Sequence, residues 1–325
     1  MEIGFIGLGK MGGNMALRLV QGSPDGSVPG GHTVVGFAKD PSPELRNIPG
    51  ITLVPSLDEM VRLLKPPRIA WVMVPAGDAT ESVIMQLAER FQPGDLIVDG
   101  GNSYYKDSIR RGEGLAKRQI GFVDVGTSGG IWGREEGYCM MVGGTKEHVD
   151  RLRPVFDTLA PPEGWAHLGP GGAGHFVKMI HNGIEYGLMQ AYAEGFEVMA
   201  KSRFDIDMHA VAKVWNRGSV IRSWLLELAE RMFETESGDL RSIQPYVEDS
   251  GEGRWTIHAA LEADTPVPVI AAALFARFAS RDEVNFSARV TAGLRNQFGG
   301  HEIKRPAARK LEKTGEVKPQ GEKPE

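Results

Sequence analysis

The stretch Glu2-Ile3-Gly4-Phe5-Ile6-Gly7-Leu8-Gly9-Lys10-Met11-Gly12 decides the fold of this chain. It begins as a short apolar strand, continues with the spacing G-x-G-x-x-G, and leads into an apolar-periodic segment that ends near Val20. In this strand, turn and helix context the glycines permit a tight turn and let backbone amides approach a pyrophosphate. A glycine-rich turn without a ligand is the alternative, but the flanking segments disfavour it. The predicted cofactor-binding residues of this turn are Gly7, Gly9, Lys10, Met11 and Gly12.

The end of the second predicted strand, Thr33-Val34-Val35-Gly36-Phe37, bears on the choice of cofactor. An acidic residue at this point normally binds the ribose 2'-hydroxyl of NAD, whereas a basic residue suits the 2'-phosphate of NADP. Ala38 removes the expected carboxylate, Lys39 can meet a phosphate, and Asp40 can still bind a ribose. The pattern therefore favours NADP and leaves NAD open.

Apolar strands and amphipathic segments alternate through the first half of the chain, which predicts an α/β fold with a parallel, doubly wound sheet of the Rossmann type. Ligands bind at the carboxyl ends of such strands. Three turns that carry bare amides and small polar side chains follow predicted strands, so we expect them to converge on the reactive end of the cofactor, although each alone can be only a turn. These turns are Val74-Pro75-Ala76-Gly77, Gly100-Gly101-Asn102-Ser103 and Gly126-Thr127-Ser128-Gly129-Gly130.

A predicted helix begins near Gly174 and places Lys178, His181, Asn182 and Glu185 on one face, because their spacing is i, i+3, i+4 and i+7. A second face carries Val177, Ile180, Ile184 and Leu188, which we expect to be buried in a core. A solvated surface is the ordinary interpretation of such a polar face. Gly171, Gly172 and Gly174 favour a cleft instead, since they suit a backbone that passes close to a ligand.

Composition limits the classes of function. A chain of 325 residues with a net charge of -5 gives no reason to expect nucleic acid or a membrane as partner. With Cys139 as the only cysteine, no intrachain disulfide is possible, and we expect a cytoplasmic protein without a signal peptide. Helical patterns dominate the second half, which predicts a Rossmann domain at 1–172, an all-α domain at 173–301 and a disordered charged tail at 302–325.

The run Lys178-Met-Ile-His181-Asn182-Gly183-Ile184-Glu185-Tyr186-Gly187 closely resembles the decarboxylating 6-phosphogluconate dehydrogenases, of the β-hydroxyacid dehydrogenase superfamily. The glycine motif and the Ser128-Gly129-Gly130 turn support this resemblance, which covers residues 1 to 301. Phe275-Ala276-Arg277 resembles the phosphate-binding arginine segment of the family, and residues 295 to 301 resemble its R-x-x-F-G-x-H run. The chain resembles the short form of the family, without the further C-terminal helices of longer members.

The resemblance implies a metal-independent oxidation and decarboxylation of 6-phosphogluconate with NADP or NAD as hydride acceptor. Lys178 is the expected base and Glu185 the expected acid. The family also implies a homodimer in which Arg295 and His301 complete the site of the other subunit. Further cofactor contacts are expected from Lys39, Val74, Pro75, Ala76 and Asn102, and substrate contacts from Asn102, Ser128, Gly129, Gly130, His181, Asn182, Tyr186, Arg277, Arg295 and His301.

Two features depart from the family pattern. Ala38-Lys39 stands where NADP-dependent relatives usually have Asn-Arg, and Ser250 stands where longer members have a phosphate-contacting lysine, ahead of Gly251-Glu252-Gly253-Arg254-Trp255. Two other functions remain as alternatives. A dehydrogenase of the 3-hydroxyisobutyrate type would share the glycine motif and the lysine but would need no phosphate pocket. A non-catalytic dinucleotide-binding protein would have no use for Lys178 with Glu185 beside it.

Overall fold

The computed structural model of the chain describes residues 1–236, 238–282, 284–299 and 302–304. Strands and helices alternate in the first half, and helices alone form the second. The strands are β1 (Glu2–Ile6), β2 (Thr33–Phe37), β3 (Ile51–Leu53), β4 (Ile69–Val72), β5 (Leu96–Asp99), β6 (Gly121–Ser128), β7 (Cys139–Gly144) and β8 (Trp165–Gly169). The helices are α1 (Lys10–Gln21), α2 (Leu57–Leu63), α3 (Asp78–Arg90), α4 (Tyr105–Ala116), α5 (Gly133–Glu136), α6 (Lys146–Leu159), α7 (Ala173–Ala200), α8 (Met208–Trp215), α9 (Trp224–Thr235), α10 (Glu252–Glu262), α11 (Pro268–Ser280) and α12 (Phe286–Gly299).

The eight strands form one sheet in the order β3-β2-β1-β4-β5-β6-β7-β8. Strands β1 to β6 pair in parallel, as predicted, and separate apolar clusters cover the two faces of the sheet. The next strand, β7, pairs antiparallel with β6, so the sheet is mostly and not wholly parallel. The segment between these two strands is too short to carry a crossover helix past the sheet, so the chain reverses direction instead.

Strand β8 lies in a segment rich in Pro and Gly, in which the sequence shows no strand pattern. β8 pairs in parallel with β7 at the edge of the sheet. His167 and Leu168 are exposed, and an edge strand of this kind carries no apolar alternation by which to recognise it. The structure passes directly from β8 to α7, at residues 170–172.

The long helix α7 connects the sheet to the helical half. Its start lies directly on the backbone of β6 and β7: a Cβ atom at Gly174 would lie 2.4 Å from the Met141 carbonyl oxygen and 2.6 Å from that of Asp124. A Cβ atom at Gly126, on β6, would lie 2.2 Å from the Cβ atom of Lys178. Gly126 and Gly174 therefore allow the first turns of α7, which carry Lys178, to pack directly on the sheet.

The helical half packs around the rest of α7. Helices α10 and α11 contact it directly, while α8 and α9 form a separate small core of Met208, Ala212, Leu226 and Phe233. Within the described residues, no helix combines the length and the apolar character needed to cross a bilayer.

Candidate active site

The glycine turn between β1 and α1 lies where the strand order reverses. β1 has β2 on one side and β4 on the other, which is the topological switch point of a doubly wound sheet. Gly7 has φ of 92°, and a Cβ atom there would lie 2.3 Å from the Met73 carbonyl oxygen. A Cβ atom at Gly12 would lie 2.0 Å from the Gly7 carbonyl oxygen. Gly7 and Gly12 therefore leave no room for a side chain. The turn leads into the N-terminus of α1, where backbone N–H groups and the helix dipole stabilise a pyrophosphate.

A cleft of about 860 Å³ runs from this turn to α7. It brings together Met11 from the glycine turn, Asn102 from the turn after β5, and the predicted polar residues of α7. Of the residues predicted from the sequence, the cleft is lined by Met11, Asn102, Ser128, Gly129, Gly130, Lys178, His181, Asn182 and Glu185.

Lys178 is the most deeply placed titratable group of the cleft, with 7% of its surface exposed. Its Nζ atom donates a hydrogen bond to Oδ1 of Asn182 at 2.7 Å and lies 3.4 Å from Nδ1 of His181. Burial lowers the pKa of Lys178 below its usual value of 10.5, because the charged ammonium loses solvation. The carboxylates of Glu185 and Glu252 act in the opposite direction and raise this pKa.

Glu185 lies further along the same face of α7, at the more open part of the cleft. Its side chain is 38% exposed, and its Oε2 atom lies 3.9 Å from Nδ1 of His181. The arrangement places a buried amine and a solvent-accessible carboxyl group in one cleft, where each can transfer a proton to or from a bound molecule.

Glu252 is a residue of the site that the sequence did not identify. Only 1% of its surface is exposed, although it is the first residue of α10. Its Oε1 atom accepts hydrogen bonds from the side-chain amides of Asn102 and Asn182, the latter at 3.1 Å, and its Oε2 atom accepts one from Oγ of Ser250 at 2.6 Å. A glutamate is common at the start of a helix because its negative charge interacts favourably with the helix dipole. The position of Glu252 in the sequence therefore gave no signal of a site.

The residues predicted to hold phosphate are not among those that line the cleft. Tyr186 is buried, and its hydroxyl group accepts a hydrogen bond from the backbone N–H of Ser250 at 3.3 Å. The guanidinium of Arg277 lies 3.4 Å from the centre of the Tyr186 ring and donates to the Glu248 carbonyl oxygen at 2.9 Å. Arg295 is exposed on α12, and His301 lies outside the described residues.

Other predicted cofactor residues lie on the same edge of the sheet as the glycine turn but outside the lining of the cleft. Val74, Pro75 and Ala76 follow β4, and the carbonyl oxygen of Pro75 accepts a hydrogen bond from Oγ1 of Thr80 at 2.9 Å. Lys39 is exposed just beyond the end of β2. Among the residues whose positions are described, no group of three or more His, Cys, Asp or Glu side chains could hold a metal ion.

The apolar face of α7 departs from the prediction that it would be buried in a core. Val177, Ile184 and Leu188 are between 37% and 52% exposed, and together with Ile180 they line the cleft. The helix instead buries the side that carries its glycines: a Cβ atom at Gly183 would lie 2.8 Å from the Thr256 side chain on α10. The glycines at the start of α7 were expected to let the backbone pass close to a ligand. Gly174 instead lies against the backbone of the sheet.

Comparison with known families accounts for nearly the whole chain. Residues 2–169 match the NAD binding domain of 6-phosphogluconate dehydrogenase, and residues 174–303 match the C-terminal domain of 6-phosphogluconate dehydrogenase. The second match begins where α7 begins, so the cleft lies between the two matched regions.

Individual relatives agree with these matches. The chain is 44% identical over 309 residues to the NAD(+)-dependent, decarboxylating 6-phosphogluconate dehydrogenase of Haloferax volcanii, covering 94% of this chain and 99% of that one. It is 35% identical to an NADP(+)-dependent, decarboxylating enzyme of Bacillus subtilis, covering 86% of this chain but 61% of the longer relative.

A solved structure shows the same architecture. Plasmodium falciparum 6-phosphogluconate dehydrogenase, determined in its apo form and in complex with NADP+ and with 6-phosphogluconate, is 27% identical, with a TM-score of 0.75. That comparison covers 96% of this chain and 68% of the other. The resemblance inferred from the lysine helix is confirmed: the chain belongs to the 6-phosphogluconate dehydrogenase family.

Proposed function

We propose that the chain catalyses the oxidative decarboxylation of 6-phospho-D-gluconate to D-ribulose 5-phosphate and CO2, with hydride transfer to NAD(P)+. The observation that carries this proposal is a buried Lys178 in a cleft that also contains Glu185 and the Ser128-Gly129-Gly130 turn. Oxidation of a 3-hydroxy acid followed by loss of its carboxylate needs one base and one acid, and these two side chains supply them. The decarboxylating relatives of Haloferax volcanii and Bacillus subtilis support the choice of reaction.

Lys178 acts first as the base. Its neutral amine takes the proton from the C3 hydroxyl group. A dinucleotide held by the glycine turn would supply the hydride acceptor when bound. Burial favours the neutral form of Lys178, because the charged ammonium loses solvation. A buried lysine therefore suits the task better than an exposed one. The resulting ammonium donates a hydrogen bond to the 3-keto oxygen and stabilises the charge that develops there as CO2 leaves.

Glu185 acts as the acid of the last step. In its protonated form it gives a proton to C1 of the five-carbon enediolate that remains after decarboxylation, and Lys178 returns the proton of the C3 hydroxyl group to solvent before the next cycle. The greater exposure of Glu185 allows it to regain a proton from solvent before the next cycle. We assign the orientation of the substrate carboxylate and hydroxyl groups to Asn102, Ser128, Gly129, Gly130, His181 and Asn182.

Spectrophotometry tests this function directly. Purified protein is mixed with 6-phosphogluconate or with unphosphorylated gluconate, each with NAD+ and with NADP+, and the absorbance of the reduced nicotinamide is followed together with CO2 release. Reduction with CO2 release only from the phosphorylated acid supports the proposal. Reduction without CO2, or activity only with small acids such as 3-hydroxyisobutyrate, would favour the related class of dehydrogenase, and cofactor binding without reduction of any acid would favour a sensor.

The glycine turn fits a dinucleotide, and Lys39 favours NADP because its exposed ammonium lies beyond β2, where the 2'-phosphate would be bound. The name of the Haloferax volcanii relative specifies NAD(+) instead. The variant Lys39→Ala tests whether this lysine favours NADP+ over NAD+. If Lys39 binds the 2'-phosphate, kcat/KM with NADP+ falls about tenfold and that with NAD+ changes less than about twofold. Equal effects on both cofactors would contradict this role.

We further propose a homodimer whose sites are completed in trans by Arg295 and His301. Large apolar side chains are exposed along the helical half, among them Phe204, Val220 and Phe286, at 62%, 100% and 70% exposure. Where such side chains lie side by side, they mark interaction surfaces. Tyr186 and Arg277 would hold the phosphate from within the same subunit.

Mixed dimers test completion in trans. Lys178→Met and Arg295→Ala subunits, each inactive alone, are refolded together in equal amounts. Half of the dimers are then mixed, and one of their two sites is intact, so about a quarter of the parent activity returns. No recovery, or a monomer by light scattering that retains full activity, would refute the proposal. A cytoplasmic location, inferred from the single cysteine, is tested by cell fractionation.

A further inference from the structure

The side-chain network around Glu252 connects both halves of the molecule to the amine of Lys178. The carboxylate of Glu252 accepts a hydrogen bond from the side-chain amide of Asn102, in the sheet half, and another from that of Asn182, on α7. Asn182 in turn accepts the hydrogen bond from Nζ of Lys178 at 2.7 Å. The carboxylate is therefore one amide group away from the proposed base.

The chemistry of this network fixes the orientation of Asn182. An amide group has a donor end and an acceptor end that are easily exchanged by rotation. A carboxylate accepts hydrogen bonds but does not donate them, so it requires the NH2 end of Asn182. The carbonyl end must then face Lys178, whose Nζ atom meets an acceptor and not a competing donor.

We propose that Glu252 is a positioning residue for Lys178: it orients the Asn182 amide and holds a negative charge close to the amine. This inference rests on the proposed function of Lys178 as the base. It also explains the departure from the family pattern at Ser250, because the Ser250 hydroxyl group binds the carboxylate of Glu252 instead of contributing a cation for phosphate.

Glu252 is one of several charged or titratable groups that act on Lys178, and its effect is separable because it comes from a different helix. Glu252 raises the pKa of Lys178, against the larger lowering by burial. Removal of its charge alone therefore moves the pKa of Lys178 downward. The groups that face Lys178 are Glu185 and His181 from α7, Glu252 from α10 and Cys139 from β7.

The test compares Glu252→Gln and Glu252→Ala with the parent protein. Glutamine keeps a carbonyl oxygen that can accept hydrogen bonds from the two amides, but it carries no charge. We therefore expect the acid limb of the kcat/KM pH profile to move to lower pH by about one unit, while the plateau value of kcat stays within about tenfold of that of the parent. Alanine leaves Asn182 free to rotate, and kcat falls about 100-fold, more than KM changes. Glu262→Gln is the matched control. It removes a carboxylate that pairs with Lys106 on the surface, at the other end of α10, and we expect the pH profile to stay unchanged.

A second readout does not depend on turnover. Lysine labelled with ¹³C at the ε carbon is titrated by NMR in the parent and in Glu252→Gln, with the Lys178 signal assigned by its loss in Lys178→Met. A downward shift of the Lys178 titration supports the proposal. An unchanged titration and an unchanged pH profile in Glu252→Gln would overturn it and leave Glu252 a structural bridge between the halves. If the parent does not oxidise 6-phosphogluconate, the proposed function fails while the titration still decides the role of Glu252. If Glu252→Ala does not fold, the glutamine variant decides alone.

Discussion

Replacement of Lys178 by methionine tests the central assignment, because methionine has nearly the same length but can neither take a proton nor donate a hydrogen bond. Loss of a general base costs about 10²- to 10⁴-fold in rate. Loss of a charged donor at the developing oxyanion costs about 10²- to 10³-fold. Since both tasks belong to one side chain and only one step limits the rate, the losses do not simply multiply, and we expect kcat to fall about 10⁴-fold.

The same substitution has little effect on the fold. Lys178 is buried and methionine fills the same space without the cost of desolvating an ammonium. The Oδ1 atom of Asn182 keeps a partner, since Nδ1 of His181 lies 2.9 Å away. We therefore expect a change of at most about 1 kcal/mol in the free energy of unfolding.

The assay combines three measurements on Lys178→Met: turnover of 6-phosphogluconate by nicotinamide absorbance, cofactor affinity by calorimetry, and thermal unfolding. The matched control is Lys201→Met, which removes the exposed lysine that directly follows α7 and leaves all three measurements unchanged. Turnover within tenfold of the parent would refute the assignment. Loss of cofactor binding would also refute it, because Lys178 would then be needed for a step before chemistry.

Three further predictions use other parts of the structure. Glu185→Gln removes the proposed acid, so kcat falls about 10²- to 10⁴-fold with little change in KM, and trapping of the enediol by an added oxidant separates this defect from a failure of the first step. Gly12→Ala brings a Cβ atom against the turn, and calorimetry should show loss of cofactor binding with less stable folding, whereas normal binding would contradict the assignment of the turn. Hydrogen bonds from Arg110 lower the pKa of Glu81 from 4.5 to about 2, with further help from Arg111, so the stabilising contribution is present above about pH 4.5 and is lost as the pH falls toward 2. Glu81→Gln should therefore cost about 1 kcal/mol at pH 7, discounted for partial exposure, with a gap from the parent that closes in acid; a gap independent of pH would contradict this origin.

The sequence was sufficient for the parts of the site that depend on local spacing. Lys178, His181, Asn182 and Glu185 share one helix, so the helical period alone places them together. Glu252 follows Asn182 by 70 residues, and nothing local reports that the start of α10 meets that face of α7. The strands β1 to β7 were equally visible as apolar runs, whereas the exposed edge strand β8 was not. The direction of β7 depends on the length of a connection and not on the strand itself.

The apolar face of α7 shows why a periodic pattern does not by itself identify the packing face. Val177, Ile184 and Leu188 suggested the core, yet the buried side of the helix is the one that carries Gly183 and Gly187. A helix packs most closely where its neighbour can approach the backbone, and the absence of a Cβ atom permits that approach. In this helix the glycines, which cost intrinsic helix stability, were the better indicator of what packs against it.

The chemistry of Lys178 therefore depends on packing that comes from both halves of the chain. Gly126 admits the stem of the lysine against β6, and this burial is what lowers the pKa of the amine. Glu252, on α10, opposes that shift and fixes the partner of the amine. A change that opens the contact with the sheet would raise the pKa of Lys178, and one that removes the carboxylate would lower it, so the two halves bias the same proton in opposite directions. The protonation of the proposed base thus depends on both halves, which gives a physical reason for its place at the boundary between the sheet and the helices and not within either one.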